Sequence, residues 1–187
     1  MSDAQTARNR LIAIVRDRSF STGSETKLAS GRSSTFYFNM KPTMLDPEGA
    51  NLIATLILER LKGAQVDLVG GLEMGAVPLA VATSVMSHGG PRPLRAFFVR
   101  KQAKDYGARK LVEGLGPGDD IKGKRVVILE DVTTTGGSSL KAIEAVRADG
   151  GIVDQVITVV DRLEGAQEAF KAAGIPFSAL LTAADFR

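Results

Sequence analysis

The chain has 187 residues, 44% of them hydrophobic and 24% charged, which fits one globular domain and excludes wholesale disorder. It has no cysteine and a single histidine, His88, so disulfides, thiolate nucleophiles, Cys-based zinc or iron–sulfur sites and multi-histidine metal clusters are excluded. A net charge of +3 is too small to mark a nucleic-acid protein by electrostatics, and no apolar run nears the ~20 residues of a membrane-spanning helix.

The first segment, MSDAQTARNR, reads as neither signal peptide nor transit sequence, and the expected compartment is the cytoplasm. Ser2 with Gln5 at capping-box spacing, then Leu11, Ile12 and Val15 on one face, predicts a helix. The aromatic run Phe36-Tyr37-Phe38 predicts a strand, and Asp46-Pro47 starts a helix that runs through Leu52, Ile53, Leu56 and Ile57 to near Gly63. From there the pattern alternates. Strands are expected at Val66–Val69, Leu94–Val99, Val126–Leu129, Val156–Val160 and Phe177–Leu181. Helices are expected at Ala76–Met86, Ser139–Arg147 and Ala166–Ala172, the last two stopped by Gly150-Gly151 and Gly174. Strands apolar on both faces between amphipathic helices predict an α/β fold, a central mostly parallel sheet flanked by helices. Ligands of such sheets bind beyond the carboxyl ends of the strands.

Between Lys101 and Lys124 the apolar rhythm fails and glycines stand at 107, 114, 116, 118 and 123. A connection longer than ~12–15 residues in a compact domain reads as a lid, a binding loop or disorder. Gly118–Lys124 imitates a nucleotide-binding P-loop, but Arg125 replaces the metal-binding hydroxyl and the segment precedes a strand instead of following one. His88, in Ser87-His88-Gly89-Gly90, reads as a helix end, and no Gly-x-Ser-x-Gly elbow exists to partner it.

The chemistry concentrates in Val126–Ser139, VVILEDVTTTGGSS. A buried strand ends in two carboxylates, Glu130 and Asp131, followed by Val132, Thr133, Thr134, Thr135, Gly136, Gly137 and Ser138 and then a helix. Glycines that let backbone approach, hydroxyl donors and a helix N-terminus make an anion cradle suited to a monophosphate. The adjacent acids suit ribose hydroxyls or a cation beside it, so the pair of features points to a sugar phosphate. Arg162, at the end of the strand Val156–Val160, suits a carboxylate, because its planar fork pairs with two oxygens.

This run resembles the signature of the type I phosphoribosyltransferases, and ILEDVTTTGGSS resembles the version found in those that use orotate. Four further segments resemble that branch. They are Ser30–Asn39, Gly70–Pro78, the basic run Arg100–Gly107, and Asp161-Arg162. Together they span most of the chain. The resemblance implies a single phosphoribosyltransferase domain over 1–187, with an N-terminal hood at about 1–45 and a flexible lid at about 101–120. It also implies transfer of the phosphoribosyl group of phosphoribosyl pyrophosphate to orotate, giving orotidine monophosphate and pyrophosphate in pyrimidine biosynthesis.

Residue by residue, the resemblance places Arg100, Lys101, Lys104 and Tyr106 in a loop that closes over pyrophosphate and reaches the neighbouring subunit's site, which implies a homodimer. It makes Lys104, Lys101, Arg100 and Asp131 the catalytic set. Glu130, Asp131 and Val132–Ser138 would hold the ribose and its phosphate, while Thr134, Arg162, Tyr37 and Phe38 would contact orotate. Mg²⁺ is implied as cofactor, bound mainly through substrate pyrophosphate and ribose, with no protein metal ligand. The family's usual lid histidine is Tyr106 here, and lysines found in some members are replaced by Ala29 and Met74, with Lys27 two residues upstream of Ala29. Two rival readings stand beside this one: a phosphoribosyltransferase for another base, and a regulator that senses phosphoribosyl pyrophosphate. The second would be expected to carry a DNA-binding segment, and nothing before residue 50 reads as helix-turn-helix.

Overall fold

In a computed structural model, which describes residues 3–27, 33–102 and 110–187, the alternating pattern builds a five-stranded parallel sheet. The chain runs α1 (Asp3–Arg18), β1 (Phe20–Lys27), β2 (Ser33–Phe38), a short α2 (Lys41–Met44), α3 (Pro47–Arg60), β3 (Leu68–Gly70) and α4 (Ala76–Ser87). It continues through β4 (Arg95–Ala96), β5 (Phe98–Val99), β6 (Val112–Glu113), β7 (Arg125–Thr133), α5 (Gly137–Ala148), β8 (Ile152–Asp161), α6 (Ala166–Ala172) and β9 (Phe177–Thr182), and closes with a 3₁₀ turn at Ala183–Phe186. The sheet order is β4-β3-β7-β8-β9, with every pairing parallel. The expected α/β sheet is therefore present.

Local chemistry explains the elements. Asp46 caps α3, accepting from the backbone N–H of Glu48 at 3.0 Å and of Gly49 at 3.1 Å, and Pro47 fills the first turn where no N–H is needed. The predicted cap at Ser2 lies outside the described residues. Along β7, Val127 and Leu129 pack in a core with α1, α3 and α4, while Val126 and Ile128 pack in a second core with α5 and Phe170 of α6. That two-residue period decides where the acids at the end of the strand point.

Three expectations change. Leu94–Val99 is two strands: β4 joins the large sheet, whereas β5 turns at buried Phe97 to pair antiparallel with β6. The region expected to lack structure between Lys101 and Lys124 therefore contains a strand, and its two limbs rise from a β-ribbon. β7 runs to Thr133, so the strand continues two residues past Glu130 and Asp131 and takes in Thr133, expected to open the loop. Finally, β1, a run of Ser, Thr and Gly after Phe20, pairs antiparallel with β2 and makes a separate two-stranded ribbon.

Candidate active site

The carboxyl end of β7 and the N-terminus of α5 enclose a cavity of about 180 Å³ lined by Glu130, Val132–Ser138 and Lys141. Gly136 turns the chain with φ of +84°, a left-handed conformation that costs glycine little, and a side chain there would strike the Phe170 ring. The threonine and serine residues expected to form the cradle are brought together by this turn. Sequence reasoning missed Lys141. It stands one turn after Gly137 on α5, a helical spacing that brings its cation to the same cavity as the cradle backbone.

The two acids are set apart by the strand's period. Glu130 is 7% exposed and faces α5, where the Ser139 hydroxyl donates to its Oε2 over 2.9 Å. Burial, reinforced by the charge of Asp131, pushes the Glu130 carboxyl up to about 8, against the opposing Ser139 bond. Asp131 faces the turn after β3. A Cβ built on Gly75 would lie 2.4 Å from the Asp131 carboxylate, so only glycine lets that turn approach the acid. Thr133 is almost fully buried at the base of the cavity. Among the described residues its Oγ1 is the one buried side-chain nitrogen or oxygen without a hydrogen-bond partner.

The turn after β3 also grips the root of the basic run. The Val99 N–H donates to the Gly71 carbonyl and the Glu73 N–H to the Val99 carbonyl, both at 2.8 Å, and the Lys101 N–H donates to Glu73 Oε1 at 2.9 Å. Arg100 directs its Nε to the Gln102 carbonyl at 3.2 Å and stands 3.7 Å from a Glu113 oxygen on β6. Glu73 lies within the Gly70–Pro78 segment but was given no role of its own there, and Glu113 was not singled out in the sequence. Lys104 and Tyr106 lie outside the described residues.

Arg162 follows β8 and is almost fully buried. Its backbone N–H donates to the Thr133 carbonyl at 2.9 Å, which sets it beside Thr134. Its Nε donates to Glu164 at 2.8 Å and its Nη1 to the Phe36 carbonyl at 3.3 Å, and its guanidinium lies 4.2 Å from the centre of the Phe36 ring. The aromatic that meets Arg162 is thus Phe36, one position before the pair named from sequence. Residue alternation along β2 gives the reason. Phe36 and Phe38 share a face, with rings 5.9 Å apart, while Tyr37 takes the other face and is 42% exposed. Phe38 is 4% exposed and packs among Phe20, Phe36 and Phe186 in the core.

Asp161, at the end of β8, accepts from the Leu163 N–H at 2.8 Å, and burial raises its carboxyl above the usual range against that bond. The assembled features are a phosphate-sized polar cradle, one accessible and one buried acid, and a held arginine, all at the carboxyl ends of parallel strands. Such an arrangement can hold a phosphorylated sugar beside a carboxylated ring.

Comparison with known proteins agrees. The model of the phosphoribosyl transferase domain matches residues 43–173. The chain is 58% identical to the orotate phosphoribosyltransferase of Rhodopseudomonas palustris (strain BisB5), over 96% of each chain. It is 57% identical to that of Bradyrhizobium diazoefficiens, again over 96% of each. Its fold is similar to the crystal structure of Mycobacterium tuberculosis H37Rv orotate phosphoribosyltransferase in complex with 5-phospho-alpha-D-ribosyl 1-diphosphate. The TM-score is 0.77 at 37% identity, covering 96% of this chain and 98% of that one.

Proposed function

The chain belongs to the orotate phosphoribosyltransferase family, and from that premise we propose how its residues divide the work of the reaction. The enzyme transfers the phosphoribosyl group of phosphoribosyl pyrophosphate to orotate, giving orotidine monophosphate and pyrophosphate in pyrimidine biosynthesis. The observation that carries our assignment is the cavity of about 180 Å³ lined by buried Glu130, Val132–Ser138 and Lys141, with the Arg162 backbone N–H tied to the Thr133 carbonyl at 2.9 Å.

In this reading Thr133–Ser138 and Lys141 hold the terminal phosphate with backbone amides, hydroxyls, the positive end of α5 and one cation. Asp131 holds the ribose hydroxyls, and Glu130 supports that edge from its bond to Ser139. Arg162 pairs with the carboxylate of orotate, Thr134 contacts the ring, and Phe36 backs Arg162 from β2. The anomeric carbon leaves pyrophosphate oxygen for a ring nitrogen through a transition state with cationic ribose character. Catalysis therefore consists of neutralising the leaving group, aligning the reactants and excluding water. Arg100, Lys101 and Lys104 supply positive charge to the pyrophosphate, and Tyr106 a hydrogen bond. Glu73 and Glu113 anchor the two limbs of the ribbon that carries them.

Among the described residues no group of three or more His, Asp or Glu side chains is arranged to hold a metal ion alone. Asp131 is the acid open to a cation that arrives on the substrate. Mg²⁺ so delivered would neutralise pyrophosphate charge.

We place the enzyme in the cytoplasm as a homodimer whose basic loop serves the neighbouring site. No helix among the described residues is long and apolar enough to cross a membrane. On α4, Val81 and Val85 lie one turn apart and are 52% and 69% exposed, and Met74, in the turn that grips Lys101, is also exposed. An apolar stripe of this kind fits a second copy of the chain, and it ends beside the root of the basic loop.

The reading is tested by mixing purified protein with Mg²⁺, phosphoribosyl pyrophosphate and one acceptor at a time, and following acceptor absorbance and pyrophosphate. Orotate is expected to be consumed, with pyrophosphate released in equal amount. Consumption of a purine or of uracil in preference to orotate would overturn the assignment of Arg162.

A further inference from the structure

The aromatic strand β2 reaches the site through Phe36, and Phe36 touches Arg162 twice, by its ring at 4.2 Å and by its carbonyl at 3.3 Å. The Nε–Glu164 bond at 2.8 Å adds a third fixed point. An arginine side chain is long and flexible, and it reads a carboxylate well only when the plane of its fork is set in advance. Here the ring fixes the plane, and the carbonyl with Glu164 fixes rotation within it. The face of the ring is electron-rich and attracts the guanidinium, which an aliphatic side chain of similar volume would not do.

We propose that Phe36 is the positioning residue for Arg162 and so a determinant of the preference for a carboxylated pyrimidine. The proposal rests on the reading that Arg162 pairs with the acceptor's carboxylate, and it assigns Phe36 no contact with the reacting atoms. The ring is held in turn by Phe20 and Phe38, with centroids 6.4 and 5.9 Å away. Arg187 also stands over the ring, at 4.6 Å, on the wall of a cleft of about 400 Å³ formed with Phe20, Thr22 and Phe186. That cleft leaves room for a hydroxyl added to residue 36.

Four variants test the idea: F36L, F36Y, R162A and R187A, each assayed with orotate and with uracil, the same ring without the carboxylate. F36L is expected to raise KM for orotate about tenfold, the scale of a lost cation–π contact, with KM for phosphoribosyl pyrophosphate changed less than about twofold. Its kcat/KM for uracil should stay within about twofold of the parent value. F36Y keeps the ring and is expected to recover most of that loss. R187A should keep the orotate-to-uracil ratio within about twofold, because Arg187 shares the ring but not the Arg162 bonds.

If F36L keeps the orotate-to-uracil ratio while R162A abolishes it, Phe36 does not position Arg162 although the reading of Arg162 holds. If R162A itself keeps the ratio, the underlying reading fails and the proposal with it. Equal losses for both acceptors in F36L and F36Y, with a lowered melting temperature, would reduce Phe36 to a packing residue and overturn the proposal. A loss in R187A that matches F36L would overturn it too, since the ring would then act through Arg187.

Discussion

The Ser139 hydroxyl, in the first turn of α5, donates to Glu130 Oε2 over 2.9 Å inside the protein. That bond, with a smaller one from the Asp131 backbone N–H, opposes burial and the charge of Asp131 and does not win: the Glu130 carboxyl is pushed up to about 8. In the unfolded chain a glutamate releases its proton near pH 4.3. Between there and about pH 8 the folded protein holds a proton that the unfolded chain has lost, so this group makes stability fall as pH rises. Below that window both states are protonated and the group contributes no difference. E130Q removes the dependence. It is expected to match the parent near pH 4.5 and to exceed it at pH 9 by on the order of a few kcal/mol, read by denaturant unfolding at both pH values. A parent-to-variant difference that does not grow with pH would show that Glu130 is ionised in the fold.

Thr133 offers a complementary test, because its buried Oγ1 has no hydrogen-bond partner among the described residues. A buried hydroxyl without a partner costs about 1–3 kcal/mol, and valine fills the same volume without it. T133V is therefore expected to stabilise the free enzyme by about 1 kcal/mol and to raise KM for phosphoribosyl pyrophosphate about five- to tenfold. Melting curves with and without that substrate read both effects, with a higher starting temperature and a smaller ligand-induced rise. A destabilised free protein, or an unchanged KM, would remove the hydroxyl from the cradle's donors.

Much of the site was legible because it is local in sequence. The cradle, its two acids and its helix lie within Val126–Ser139, and strand, turn and capping chemistry there act between near neighbours. What was hidden depends on pairing at a distance. Phe97 bends the chain so that β4 and β5 enter different sheets, which no periodicity within Leu94–Val99 can reveal. β1 is polar after Phe20, and it is a strand because β2 lies opposite it. Phe36 rather than Tyr37 meets Arg162 because β2 turns alternate residues to opposite faces, and which face looks inward is set by Phe186 and β1. Glu73 gains its role from the Lys101 backbone, 28 positions away.

The basic loop is expected to act on the leaving group more than on the nucleotide product. K104A and K101A should each lower kcat about 10²-fold or more, the range seen when one electrostatic donor to a transition state is removed. Their affinity for orotidine monophosphate, which has no pyrophosphate, should change less than about threefold. Steady-state kinetics and a product-binding titration give the two quantities. Equal losses in both would assign these lysines to general binding and not to the departing pyrophosphate.

Whether the loop serves its own subunit or the neighbour is decided by mixing two inactive variants, K104A and D131N. If Lys104 of one copy completes the site that holds Asp131 of the other, each heterodimer has one site with both residues intact. Random exchange makes half the dimers hetero, so the mixture is expected to regain roughly a quarter of parent activity. If both residues come from the same copy, each heterodimer has no intact site and the mixture stays inactive. The exchange requires a dimer that can be opened, and V81E/V85E supplies the control, since two carboxylates on the apolar stripe of α4 should prevent its burial. Added to both parents, that pair of substitutions is expected to halve the mass seen by sedimentation and to abolish the recovered activity. Retention of the dimer mass with both glutamates present would move the interface away from α4, and failure to recover activity in an exchanging dimer would place Lys104 and Asp131 on the same copy.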